Sequence, residues 1–194
     1  MFCGQHLSCP FLLKRGVLVA LFAISDFHLS FSVDKPMDIF KGWSDYTEKI
    51  KENIEKQVAD EDTIVIPGDI SWGLKITETI EDFRFINALP GKKIIGKGNH
   101  DLWWESLTKM NRIIAENGFD TISFLHNNAY EVGDYAVCGS RGWFFDDTAD
   151  KKIILREAGR VEMSIIKAEK ISRIRSRKSV RYNAWRRCRR AFLR

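Results

Sequence analysis

Unbroken apolar runs alternate along this chain with stretches in which apolar residues recur every third or fourth position. The run VLVALFAIS (17–25) is short and rich in aliphatic residues, the pattern of a buried strand. From Asp45 to Val58, the positions Tyr46, Ile50, Ile54 and Val58 fall four apart and share one helical face. DTIVIPGDIS (62–71) reads as a second buried strand, closed by Pro67-Gly68. Ile80, Phe83 and Ile86 form another helical stripe, for which Thr79 with Asp82 predicts a capped start and Pro90-Gly91 a stop. KKIIGKG (92–98) is a third strand, with Lys92 and Lys93 read as solvated residues at its entrance, and Leu107, Met110, Ile113 and Ile114 mark a third helix ending near Gly118. The order β-α-β-α-β-α, with crossovers long enough for parallel neighbours, predicts an α/β fold. Strand-rich text follows in DTISFLHN, AYEVG and DYAVCGSRG, and helical spacing returns at Leu155, Ala158, Val161, Ile165 and Ala168.

Composition changes this picture at the ends. The 194 residues suit one domain, and 44% hydrophobic with 12% aromatic content is enough for a packed core. The formal charge of +5 is uneven: residues 173–194 hold 10 of the 31 basic residues and none of the 26 acidic ones, so the body is mildly acidic and the tail strongly basic. Four cysteines, at 3, 9, 138 and 188, form no C-x-x-C pair and support neither a zinc ribbon nor a disulfide framework, which points to a reducing compartment. Lys14 and Arg15 before GVLVALFAIS imitate a secretory signal. That run has another use as a strand and falls far short of the ~20 residues a membrane span needs. The expectation is a cytoplasmic protein with no membrane partner.

The chemistry sits at the strand ends. Open α/β sheets place ligands beyond the carboxyl ends of their strands. The first strand delivers SDFHLS with Asp26 and His28, the second PGDIS with Asp69, and the third GKGNHD with Asn99, His100 and Asp101. Parallel neighbours bring all of these to one rim. Asp26 and His28 are two apart, so on an extended strand they point the same way and can grip one divalent ion. Asp69 can bridge that ion to a second, and Asn99 offers the second a neutral amide oxygen. Gly68, Gly96 and Gly98 let the backbone turn sharply beside the site. Two metals ~3.5–4 Å apart can activate water and clamp a phosphoryl group for in-line attack. His100 is placed to stabilise oxygen charge or protonate a leaving group, and Asp101 to orient its imidazole.

In this order and spacing, SDFHLS, PGDIS and GKGNHD resemble the D-x-H, G-D and G-N-H-[DE] motifs of the calcineurin-like metallophosphoesterases, over about residues 19–170. GWFFDD (142–147) is similar to a bacterial group of predicted phosphohydrolases within them. The resemblance implies a four-layer αββα sandwich around two sheets, two divalent ions (manganese, iron or zinc, sometimes nickel) and hydrolysis of a phosphate ester. It implies metal ligation by Asp26, His28, Asp69 and Asn99, with His100 as the catalytic histidine.

The family completes its site with a later histidine and a G-H-x-H motif. This chain has only His6, His28, His100 and His126, and His126 in FLHNNAY reads as a structural or surface residue. The expected organisation is therefore a segment 1–18 ahead of a start at Val19, a phosphoesterase domain over 19–172 whose second half is incomplete, and a basic tail over 173–194 consistent with an out-of-frame end. Impaired activity follows from the missing ligands. Two other readings stand beside the enzyme: nucleic-acid binding through the arginine-rich tail with Tyr182 and Trp185, and a non-catalytic metal-binding remnant. Trp72, Trp103 and Trp104 flank the motifs as cleft wall or core, and Arg141 and Trp143 are placed to touch a substrate.

Overall fold

In a computed structural model, which describes residues 19–142 and 151–175, four strands form a parallel sheet in sequence order. They are β1 (Leu21–Ala23), β2 (Thr63–Ile66), β3 (Lys92–Ile95) and β4 (Ile122–Phe124). The crossovers are α1 (Tyr46–Gln57), α2 (Ile80–Ala88), entered through a 3-10 turn at Ile76–Thr79, and α3 (Leu107–Glu116). A hairpin of β5 (Asn128–Val132) and β6 (Tyr135–Gly139) follows as a second, antiparallel sheet, and α4 (Lys151–Arg175) packs against it. The mixed α/β architecture with a parallel sheet is the one the hydrophobic pattern predicts. Among the described residues the second sheet has two strands. Residues 1–18, Trp143 and residues 176–194 of the tail lie outside the described residues, and the expectations about them rest on the sequence alone; residues 173–175 continue α4.

The helical stripes and the strand runs meet in one core. Ile54 of α1, Phe83 and Ile86 of α2, and Met110, Ile113 and Ile114 of α3 are buried with Ile64, Ile66, Ile95 and Phe124 of the strands. Removing a fully enclosed ring such as Phe83 typically costs about 3–5 kcal/mol, so these positions carry much of the folding energy. The hairpin turn is the two-residue Gly133-Asp134, and Gly133 takes φ +56°, a left-handed conformation that glycine adopts without strain.

Two expectations are overturned here. Thr79 does not cap α2 with its side chain: its hydroxyl donates to the Ile76 carbonyl inside the preceding turn, 2.8 Å away. Asp82 instead turns inward, accepting from the Phe31 amide at 2.9 Å and from the Ser71 hydroxyl, and so ties α2 to the loops that follow β1 and β2. Lys93 is not solvated but fully buried. Its ammonium donates to the Gly91 carbonyl at 2.8 Å, the Asn87 carbonyl at 3.4 Å and the Leu89 carbonyl, satisfying acceptors that the end of α2 leaves open. Burial pushes its pKa down to about 8. Lys92, one residue earlier, is exposed as expected. No helix among the described residues is long and apolar enough to cross a membrane.

Candidate metal centre

Beyond Ala23 the chain leaves the strand but stays beside the loop after β2. The Asp26 amide donates to the Gly68 carbonyl at 3.2 Å, the His28 amide to the Asp69 carbonyl at 2.9 Å, and the Leu29 amide to the Ile70 carbonyl at 2.9 Å. Phe27 and Leu29 are fully buried between them, which turns Asp26 and His28 outward. The two side chains converge as expected, with His28 Nε2 3.6 Å from Asp26 Oδ1, but by a different route. Neither residue is extended: Asp26 has φ +62° and His28 φ +46°, and Asp69 across the rim has φ +54°. Left-handed backbone at three non-glycine residues costs of order 1 kcal/mol or more each and clusters where side chains must be aimed.

The three residues form one group. Asp26, His28 and Asp69 each offer a donor atom, and these atoms lie within 4.8 Å of one another. Burial pushes His28 below the ordinary imidazole value, against the upward pull of Asp69 and Asp26. A neutral ring with a free lone pair is what a metal requires, and two carboxylates with one imidazole suit a divalent ion. The residues present therefore fit a metal.

The β2 and β3 loops are locked together backbone to backbone. A Cβ on Gly68 would sit 2.1 Å from the Gly98 nitrogen, and one on Gly98 2.1 Å from Asp69 Oδ1. The His100 amide donates to Asp69 Oδ1 at 2.9 Å. Beneath them lies Asp101, fully buried. Its Oδ2 accepts from the amides of Asp69 and Gly98, both at 2.8 Å, and its Oδ1 from the Ile70 amide at 2.8 Å and Trp103 Nε1 at 3.0 Å. All four hydrogen bonds go to the scaffold and none to the imidazole of His100, so the structure gives Asp101 the place of a clamp between loops. Burial raises its carboxyl above the ordinary value, and the backbone amides of Gly98, Ile70 and Asp69 oppose that rise.

His100 and Asn99 are both exposed on the same loop. The His100 ring lies 5.6 Å from that of His28 and 4.9 Å from the indole of Trp72. Trp72 walls the site, stacked on His28 at 4.7 Å, whereas Trp103 is core and Trp104 lies half-buried beside it. His126 follows β4, 5.9 Å from Trp104 by ring centroids, and does not join the donor group. Arg141 is half-buried just past β6. Sequence reasoning missed the loop between β1 and α1, which brings Trp43 within 6.2 Å of His28 and lays Lys35 over Trp72. The signal was available as Lys35 and Trp43 in the long stretch between the first motif and α1.

No curated protein matches the chain. A solved structure from Aquifex aeolicus, the protein of unknown function AQ665, is 24% identical over 74% of this chain and 70% of that one, with a TM-score of 0.42. The family described as Calcineurin-like phosphoesterase matches residues 20–190, a span that contains every residue of the donor group. The chain belongs to the calcineurin-like phosphoesterase family.

Proposed function

We propose that this chain is a metal-dependent phosphoric ester hydrolase built on a dinuclear centre. The observation that carries the reading is the convergence of Asp26, His28 and Asp69 donor atoms within 4.8 Å. In this reading Asp26 and His28 hold one divalent ion, Asp69 bridges, and Asn99 holds the second. Carboxylate oxygen, imidazole nitrogen and amide oxygen suit manganese, iron or zinc, and nickel as well. When bound, such ions polarise the phosphoryl oxygens and lower the pKa of an attacking water.

The chain's own residues do the rest. His100, exposed at the rim, donates to a phosphoryl oxygen as charge builds there, or hands a proton to the leaving oxygen. The bond from its amide to Asp69 fixes its loop relative to the shared carboxylate. Asp101 acts at one remove, holding the amides of Asp69 and Gly98 so that ligand and imidazole keep their spacing. Among the described residues these four would be the donors, and with so few ligands we expect weaker metal affinity and slower turnover than a fully ligated centre supports.

The test is Mn²⁺ titration followed by electron paramagnetic resonance, together with turnover of a chromogenic phosphate ester. Asp69→Asn should weaken Mn²⁺ uptake at least tenfold and abolish any metal-dependent turnover. Uptake by the natural chain no tighter than by Asp69→Asn would remove the metal-centre reading.

A further inference from the structure

The loop between β1 and α1 presents a cation to the candidate site. Lys35 is exposed, and its ammonium lies over the indole of Trp72, 3.6 Å from the ring centroid. The placement is built from several sides. Pro36 follows with its fixed φ, and the Lys35 amide donates to the Val33 carbonyl at 3.0 Å. Met37, buried, accepts from Trp72 Nε1 at 3.3 Å, so the segment that carries the lysine also pins the indole. That indole stacks on His28 at 4.7 Å with 17° between planes, and stands 4.9 Å from His100. One ring thus contacts the ammonium and both imidazoles of the rim. Lys35 forms no ion pair among the described residues, in contrast to Lys51, Lys56 and Lys109, which pair with glutamates.

An exposed cation–π contact is weak, enough to bias the side chain toward the indole. A charge-assisted hydrogen bond to an anionic oxygen is stronger and wins when an oxyanion arrives. We propose that Lys35 is a substrate-binding residue that docks the second negative charge of a phosphate monoester, giving the site a preference for monoesters over diesters. The monoester's second pKa is about 6, so near neutral pH it is largely a dianion, whereas a diester stays a monoanion. The assignment rests on the metal-dependent phosphoesterase reading.

The experiment uses the full chain loaded with Mn²⁺ at pH 8 and calorimetric titration with two probes: inorganic phosphate, a dianion there, and dimethyl phosphate, a monoanion. Lys35→Gln should weaken phosphate binding about tenfold and dimethyl phosphate binding less than about threefold. Lys35→Arg should restore the phosphate affinity to within about threefold, and neither variant should change Mn²⁺ uptake. Equal losses for the two probes, or no loss for phosphate, overturn the assignment while leaving the metal centre intact. Absence of Mn²⁺ uptake by the natural chain, read before any anion is added, removes both readings together.

Discussion

Replacing Asp101 with Asn changes one atom and should cost far more than a surface substitution. The carboxylate takes four N–H donors, two on each oxygen, at 2.8–3.0 Å. An amide has one oxygen, so whichever way it flips, its NH₂ faces two donors. Two hydrogen bonds to a charged acceptor, about 1.5–3 kcal/mol each, are lost, and two buried N–H groups are left unpartnered. The gain from no longer burying a charge offsets part of this, since burial opposes ionisation of Asp101. The net should be a loss of about 3 kcal/mol, a large share of the ~5–15 kcal/mol that holds a domain together. Urea unfolding at pH 7 reads it: with a slope of about 1–3 kcal/mol per molar, the midpoint should fall by roughly 1–3 M. Because the affected amides belong to Asp69 and Gly98, Mn²⁺ uptake should weaken in the same variant under conditions where it is fully folded. A midpoint shift below about 0.3 M with unchanged slope would refute the clamp.

Four further outcomes are expected. Gly98→Ala puts a methyl 2.1 Å from Asp69 Oδ1 and 2.3 Å from the Asp69 nitrogen, so thermal unfolding should show a loss of about 1–3 kcal/mol or more, and Mn²⁺ uptake should drop at least tenfold. Lys93→Met removes the donor that three carbonyls share at the end of α2, and chemical denaturation at pH 7 should register a loss of about 2 kcal/mol. The pH dependence has a definite sign: with its folded pKa at about 8, below its ordinary 10.5, Lys93 makes the unfolded state the better proton binder, so its contribution to stability rises between those values and is lost as pH falls through 8, a slope absent in Lys93→Met. Asp82, whose carboxyl burial raises, works the other way: its contribution is present in acid and fades as pH rises through the raised value, so the stability of Asp82→Asn relative to the natural chain should improve across that window.

The order of strands and helices was legible because each βα unit repeats one simple rule: a short apolar run, then a stripe such as Ile80, Phe83 and Ile86. The donor group was legible for a related reason. Parallel strands in sequence order, β1 to β4, necessarily bring the residues after β1, β2 and β3 to one rim. What the sequence hid were contacts made by residues with two plausible lives. Lys93 looks like any lysine at a strand entrance, and only the return of α2 close to β3 reveals carbonyls waiting for a donor. Asp101 adjoins His100 and so invited a direct bond to it, but the fully buried Trp103 two residues later and the amide-lined turn at Asp69 draw the carboxylate down into the scaffold. Lys35 and Trp72 are 37 positions apart, and nothing local in either segment announces that they touch.

The left-handed backbone at Asp26, His28 and Asp69 sets a trap for anyone trying to toughen this protein. Each position would accept glycine with relief of strain, so a heat-tolerance screen scored on solubility alone would be rewarded for erasing them. Thermostability gained that way would come from dismantling the proposed donor group, and only a screen that also counts bound metal would notice.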